Sequence, residues 1–156
     1  MVVKEGLQRD VSAYRTRRRA RVLAFQTLYE IDVRLRNPDT VLESDIFGKR
    51  FKRNIISYAR KLVEGVLCRK DDVDSLISVC APSWPIEQIS LVDRNILRLA
   101  IFELMEDDVP QKVVINEAVE LGKIFGADNT TKFVNGVLGS LVELEAVALL
   151  ESTDRR

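Results

Sequence analysis

Apolar positions recur at helical spacing along almost the whole chain, and no stretch of useful length alternates apolar with polar residues. From Arg21 to Leu35 the residues Ala24, Leu28, Ile31 and Leu35 fall on one side of a helix, and at about 100° per residue Ala20 joins them. Asn37-Pro38-Asp39 marks a turn, and Ser44-Asp45 is placed to cap a short element holding Ile46 and Phe47. The wide stripe Ile55, Ile56, Ala59, Leu62, Val63, Val66 and Leu67 predicts a core helix from Arg53 to Arg69. Asp71-Asp72 opens the next helix, where acids suit the positive N-terminal end, with Val73, Leu76, Ile77 and Cys80 inward. Ala81-Pro82-Ser83-Trp84-Pro85 ends it.

Ser90 reads as the cap of a helix from Leu91 to Met105. Its apolar residues occupy most of the circumference, as expected of a central helix covered on several sides. Asp107-Asp108-Val109-Pro110 breaks the chain before a helix from Val113 to Phe125, which Gly126 stops. Asp128-Asn129-Thr130 caps the last long helix, with Phe133, Val134, Val137, Leu138 and Leu141 inward. Gly136 and Gly139 each lower helix propensity there by about 1 kcal/mol, which points to close helix contact. The expectation is an all-α fold of about seven helices joined by short loops. It comprises a flexible leader over residues 1–13, one helical domain over 14–150 and a frayed tail over 151–156.

At 156 residues the chain can bury a working core without disulfides or metal. Cys68 and Cys80 both sit on apolar stripes, so they read as buried small hydrophobes in a reducing compartment. With no histidine, histidine-containing zinc sites and histidine-based catalysis are excluded. Glycine-rich phosphate loops, dinucleotide fingerprints and paired-cysteine zinc spacings are missing too, so no cofactor and no enzymatic activity are expected. No apolar run approaches a membrane span, and Met1 to Asp10 lacks a signal-peptide core, which points to a cytoplasmic protein.

Charge changes the picture in one place. The formal net charge is zero, yet five arginines fall within seven residues at Arg15, Arg17, Arg18, Arg19 and Arg21, with no acid between Val11 and Leu28. A neutral protein does not attract polyanions through its mean charge, so a cluster this dense acts locally, and phosphate is its usual partner. On a helical projection Arg15, Arg18, Arg19, Gln26 and Tyr29 lie opposite the apolar side. A ring beside guanidinium groups is what an unpaired base stacks on, although Tyr29 also fits a half-buried ring with a wet hydroxyl. Arg17 and Arg21 project toward the apolar side, which places the start of the helix inside or after the cluster.

Arg17-Arg18-Arg19-Ala20-Arg21, followed by Ala24, Gln26, Leu28 and Tyr29, resembles the opening of the NusB family of transcription antitermination factors. In the same order follow Val92-Asp93-Arg94-Asn95-Ile96-Leu97-Arg98, Phe102-Glu103-Leu104, Asp108-Val109-Pro110, Ile115-Asn116-Glu117-Ala118-Val119-Glu120-Leu121 and Lys132-Phe133-Val134-Asn135-Gly136-Val137-Leu138. The resemblance spans residues 14–141, with a weaker middle over 33–53. It implies two small packed helical bundles and an RNA-binding adapter. With the small-subunit ribosomal protein known as NusE, that adapter grips boxA-type single-stranded RNA within the transcription elongation complex and suppresses premature termination, notably on ribosomal RNA operons. A homodimer is a further expectation.

Carried over by position, the RNA surface includes Arg17, Arg18, Arg19, Arg21, Gln26, Tyr29, Lys132 and Phe133, and the partner surface Glu87 and Asp93; Arg15 lies just before the matched motif and joins the RNA surface on local charge. Phe133 fits a core position as well, and the two acids also fit an ordinary helix surface. Two other readings compete. One is a helical protein-interaction module whose arginines only solubilise it. The other is a relative of the helical N-terminal domain of RNA 5-methylcytosine methyltransferases, although those chains continue into a large catalytic domain and this one stops at Arg156. A DNA-binding helix-turn-helix fits less well, because the arginines precede the first helix rather than lying on a recognition helix.

Overall fold

The computed structural model describes residues 2–35, 37–42 and 51–154. Among these are seven α-helices and no strand: α1 (Val2–Arg34), α2 (Pro38–Leu42), α3 (Arg53–Cys68), α4 (Lys70–Cys80), α5 (Leu91–Glu106), α6 (Gln111–Phe125) and α7 (Thr130–Asp154). A single 3-10 turn covers Ile86–Gln88. The all-α expectation holds. The chain divides into two compact units, Met1–Leu67 and Cys68–Arg156. The short element expected around Ser44-Asp45, Ile46 and Phe47 lies outside the described residues.

In the first unit, α1 begins at Val2, so the start placed inside or after the arginine cluster is corrected. The stretch has no proline, and its only glycine before the cluster, Gly6, has open space where a Cβ would stand, so nothing local breaks the helix. The apolar stripe of α1 is also shorter and broader than expected. Ala20, Leu23, Ala24, Phe25 and Leu28 are buried, Ile31 is half-buried, and Leu35 is 90% exposed. The reason is the helix end: Leu35 has a left-handed φ of 49°, which takes it off the helical path. Asn37 then caps α2 by accepting the Asp39 N–H on its Oδ1 at 3.0 Å, with Pro38 in the first helical position where a missing N–H costs nothing. On α3 the residues Ile55, Ala59, Leu62, Val63 and Val66 are buried, as the stripe predicts.

The second unit is organised around α5, which packs against α4, α6 and α7. Every residue from Asn95 to Leu104 is buried. Ser90 starts this helix by accepting the Asp93 N–H on its Oγ at 3.1 Å, and Asp107 ends it in the left-handed conformation. An arginine inside this core needs a counter-charge. Arg98 donates from Nε to Asp74 Oδ1 at 2.7 Å and from Nη2 to Oδ2 at 2.9 Å, a bidentate pair joining α4 to α5. The Arg98 side chain is 5% exposed and that of Asp74 22%.

Two expectations fail in this unit or at its edge. Cys68, the last residue of α3, is exposed and Cys80 only half-buried, because each stands at a helix end where the stripe runs out. Burial nevertheless pushes the Cys80 thiol above its ordinary pKa, and the Glu145 carboxylate adds to the rise. Gly136 and Gly139 make no close helix contact, since a Cβ at either would meet nothing within 4 Å. Close approach occurs instead at Gly126, where a Cβ would lie 2.5 Å from Thr130 Cβ and 2.6 Å from Gly122 O. The last helix continues to Asp154.

Removing Asp74 leaves the Arg98 guanidinium buried beside no carboxylate at that position. Asp74→Ala is expected to lower unfolding free energy in urea titrations by about 3 kcal/mol. A loss near 0.5 kcal/mol, the scale of an exposed pair, would show that the pair does not hold α4 to α5.

Candidate nucleic-acid interface

Helical phase decides which side chains of α1 reach the surface. Arg15, Arg17, Arg19, Gln26 and Tyr29 are exposed and Arg18 is half-buried. Arg15, Arg19, Gln26 and Tyr29 follow one another at spacings of three, four and seven residues, so they form one stripe along the helix. Arg21 leaves this set. It is 3% exposed, because it lies one turn beyond Arg17 on the side that also carries Ala20, Ala24 and Leu28. Its assignment to the RNA surface is therefore corrected to an anchoring position inside the first unit.

Aromatic rings hold four of the five guanidinium groups. Arg17 lies 5.2 Å and Arg21 6.0 Å from the Tyr58 centroid, Arg18 lies 6.0 Å from that of Tyr14, and Arg19 lies 5.8 Å from that of Phe51. A stacked guanidinium uses its flat face and keeps its N–H edge, so an anion meets donors already ordered. Tyr29 is 38% exposed and its ring centroid stands 6.2 Å from that of buried Phe25. The ring is thus supported on one side and open on the other, which suits a stacking base.

In the second unit Lys132 is exposed and Phe133 half-buried at the start of α7. Phe133 meets Trp84 edge to face, with centroids 6.4 Å apart and planes at 75°. The two rings line a cleft with Pro82, Ser83, Lys132 and Gly136, and a second one with Gln88, Ser90, Asp93 and Asn129. Phe133 is therefore neither a plain core residue nor a free platform. Asp93, assigned from sequence to the partner surface, also ties α5 to α7. Ala127 N–H donates to Thr130 Oγ1 at 2.9 Å, and Thr130 Oγ1 donates to Asp93 Oδ1 at 2.8 Å. Glu87 is exposed on the 3-10 turn.

Sequence reasoning missed Trp84, 53% exposed, which it used only as part of a helix-ending loop. A lone tryptophan between two prolines was the available signal. It also missed the aromatic supports of the arginines. Tyr14, four residues before Arg18, was detectable by spacing, whereas Phe51 and Tyr58 are distant in sequence and carried no signal. Among the described residues no group of three metal-ligating side chains forms, and no helix is long and apolar enough to cross a membrane.

Arg21 and Arg19 should part company in thermal and urea unfolding. Arg21→Ala is expected to cost about 1–3 kcal/mol as a buried-site change, and Arg19→Ala to stay within about 0.5 kcal/mol. Equal effects would contradict the different placements.

The model of the NusB family matches residues 18–143. The transcription antitermination protein NusB of Dehalococcoides mccartyi (strain CBDB1) is 42% identical over 142 residues, covering 90% of this chain and 96% of that protein. Its namesake from Anaeromyxobacter dehalogenans (strain 2CP-1) is 46% identical over 125 residues, covering 78% and 87%. Among solved structures, T. maritima NusB gives a TM-score of 0.75 at 36% identity over 81% of this chain and 90% of that one. A chain in the crystal structure of antitermination factors NusB and NusE in complex with double-stranded RNA gives 0.75 at 32% identity, over 83% and 98%. A family match over most of the chain, relatives above 40% identity and the same helical fold agree: the chain belongs to the NusB family.

Proposed function

We propose that this protein is an RNA-binding transcription antitermination factor. Together with NusE, it binds boxA-type single-stranded RNA in the elongation complex and suppresses premature termination, notably on ribosomal RNA operons. The observation that carries this reading is the exposed stripe of α1, along which the Arg19 guanidinium ordered over Phe51 and the Tyr29 ring supported by Phe25 share one face. Phosphates meet the arginines through charge-assisted hydrogen bonds, and an unpaired base stacks on Tyr29. Family membership supports the same reading, since a chain of similar fold occurs in a structure with NusE and RNA. Lys132 and Phe133 are proposed as RNA contacts of the second unit, and Glu87 and Asp93 as an acidic surface for the basic ribosomal protein. The cytoplasm is where such a factor meets nascent RNA.

Binding of a boxA-type RNA and a scrambled RNA of equal length, with and without NusE, tests this. Wild type is expected to prefer the boxA RNA, more tightly with NusE. Arg18→Ala/Arg19→Ala should weaken binding and flatten the log–log salt dependence by about 1.4, at about 0.7 per single-strand phosphate contact. If neither RNA binds under any condition while NusE does, the chain is a protein-interaction module and the arginines are only surface.

A further inference from the structure

We infer a second phosphate-binding site, in the cleft between α1 and α3, that takes a backbone phosphate of RNA flanking the segment held on the exposed stripe; this rests on the RNA-binding reading above. The cleft encloses about 410 Å³ and is lined by Arg9, Ser12, Thr16 and Arg17 of α1 and Asn54 and Tyr58 of α3, with Ala13 between them. All of these residues belong to the first unit.

The position of these residues on α1 is the first argument. Residues 9, 12, 13, 16 and 17 repeat at the spacing by which one face of a helix packs on a neighbour. Continued toward the C-terminus, the same face carries Ala20 and Ala24, both buried core. Before Ala20 the packing positions other than Ala13 hold arginine, serine and threonine instead of apolar side chains, so a polar cleft opens between α1 and α3.

Chemistry is the second. The lining contains two guanidinium groups and no carboxylate, and its neutral members are hydroxyl and amide donors. Arg17 is held by the Tyr58 ring at 5.2 Å, which leaves its N–H edge for an anion. Asn54 Oδ1 accepts the Ile55 N–H at 3.0 Å, and its Nδ2 group is a donor. Two guanidinium groups with hydroxyl and amide donors and no carboxylate in the lining suit a phosphodiester, which only accepts. Arg9, Ser12 and Thr16 precede residue 18, where the family match begins.

The test uses the full chain with NusE, a boxA-core RNA, the same core extended on both sides, and the variants Arg9→Gln and Arg9→Lys at several salt concentrations. Wild type is expected to bind the extended RNA about five-fold more tightly than the core, the scale of one exposed charge contact. Arg9→Gln should abolish that preference and flatten the salt dependence for extended RNA by about 0.7, leaving core binding unchanged, while Arg9→Lys retains both. Wild-type affinity and salt dependence of Arg9→Gln for extended RNA would overturn the inference and leave the RNA-binding reading intact. Arg9-dependent binding of a poly-glutamate peptide in preference to the extended RNA would overturn it in favour of an acidic protein segment. Failure of wild type to bind the core RNA at all would remove the RNA-binding reading and the cleft with it.

Discussion

Between Ala20 and Leu28 the first helix is buried at every position except Val22 and Gln26, and that constraint governs the rest of its surface. Over that stretch one narrow strip is left for a ligand, and everything polar off it must be satisfied within the fold. Thr27 meets the requirement locally, donating its hydroxyl to Leu23 O at 2.8 Å. Arg21 meets it partly by lying over Tyr58. The side chains in phase with Gln26 face outward, namely Arg15, Arg19 and Tyr29, with Arg18 half-buried beside them, and Arg17 is exposed next to the Tyr58 ring. The cationic stripe is a by-product of how tightly α1 is packed, and its composition is what the proposed phosphate contacts rest on.

The second unit solves a related problem with specific polar ties. Because α5 is buried along its middle, Arg98 can persist there only with a bidentate carboxylate, and Asp74 supplies it from α4. At the start of the same helix, Asp93 receives the Thr130 hydroxyl, which itself accepts from Ala127. That chain fixes the turn leading into α7, and so sets where Lys132 and Phe133 emerge. The closeness of Gly126 to Thr130 belongs to the same arrangement, because a side chain at Gly126 would displace the threonine.

Signals that act within one turn were legible in the sequence. Ser90 caps α5, Gly126 ends α6, and Asn37-Pro38 opens α2 because each rests on neighbours a few residues away. The arginine stripe was legible too, since helical phase alone puts Arg15, Arg18, Arg19, Gln26 and Tyr29 together. What failed depended on where a helix stops or on what lies across from it. Leu35 looked like a core position until the left-handed turn removed it, and Gly136 looked like a packing glycine although nothing approaches it. The pairing of Trp84 with Phe133, and of Tyr58 with two arginines, joins residues far apart in the chain, and periodicity does not carry such information.

If RNA lies along the exposed stripe of α1, chemical-shift mapping of the isotope-labelled full chain during titration with a boxA-type RNA will show it. The largest perturbations are then expected at Arg15, Arg19, Gln26 and Tyr29. Perturbations confined to α4, with that stripe unmoved at saturating RNA, would contradict it.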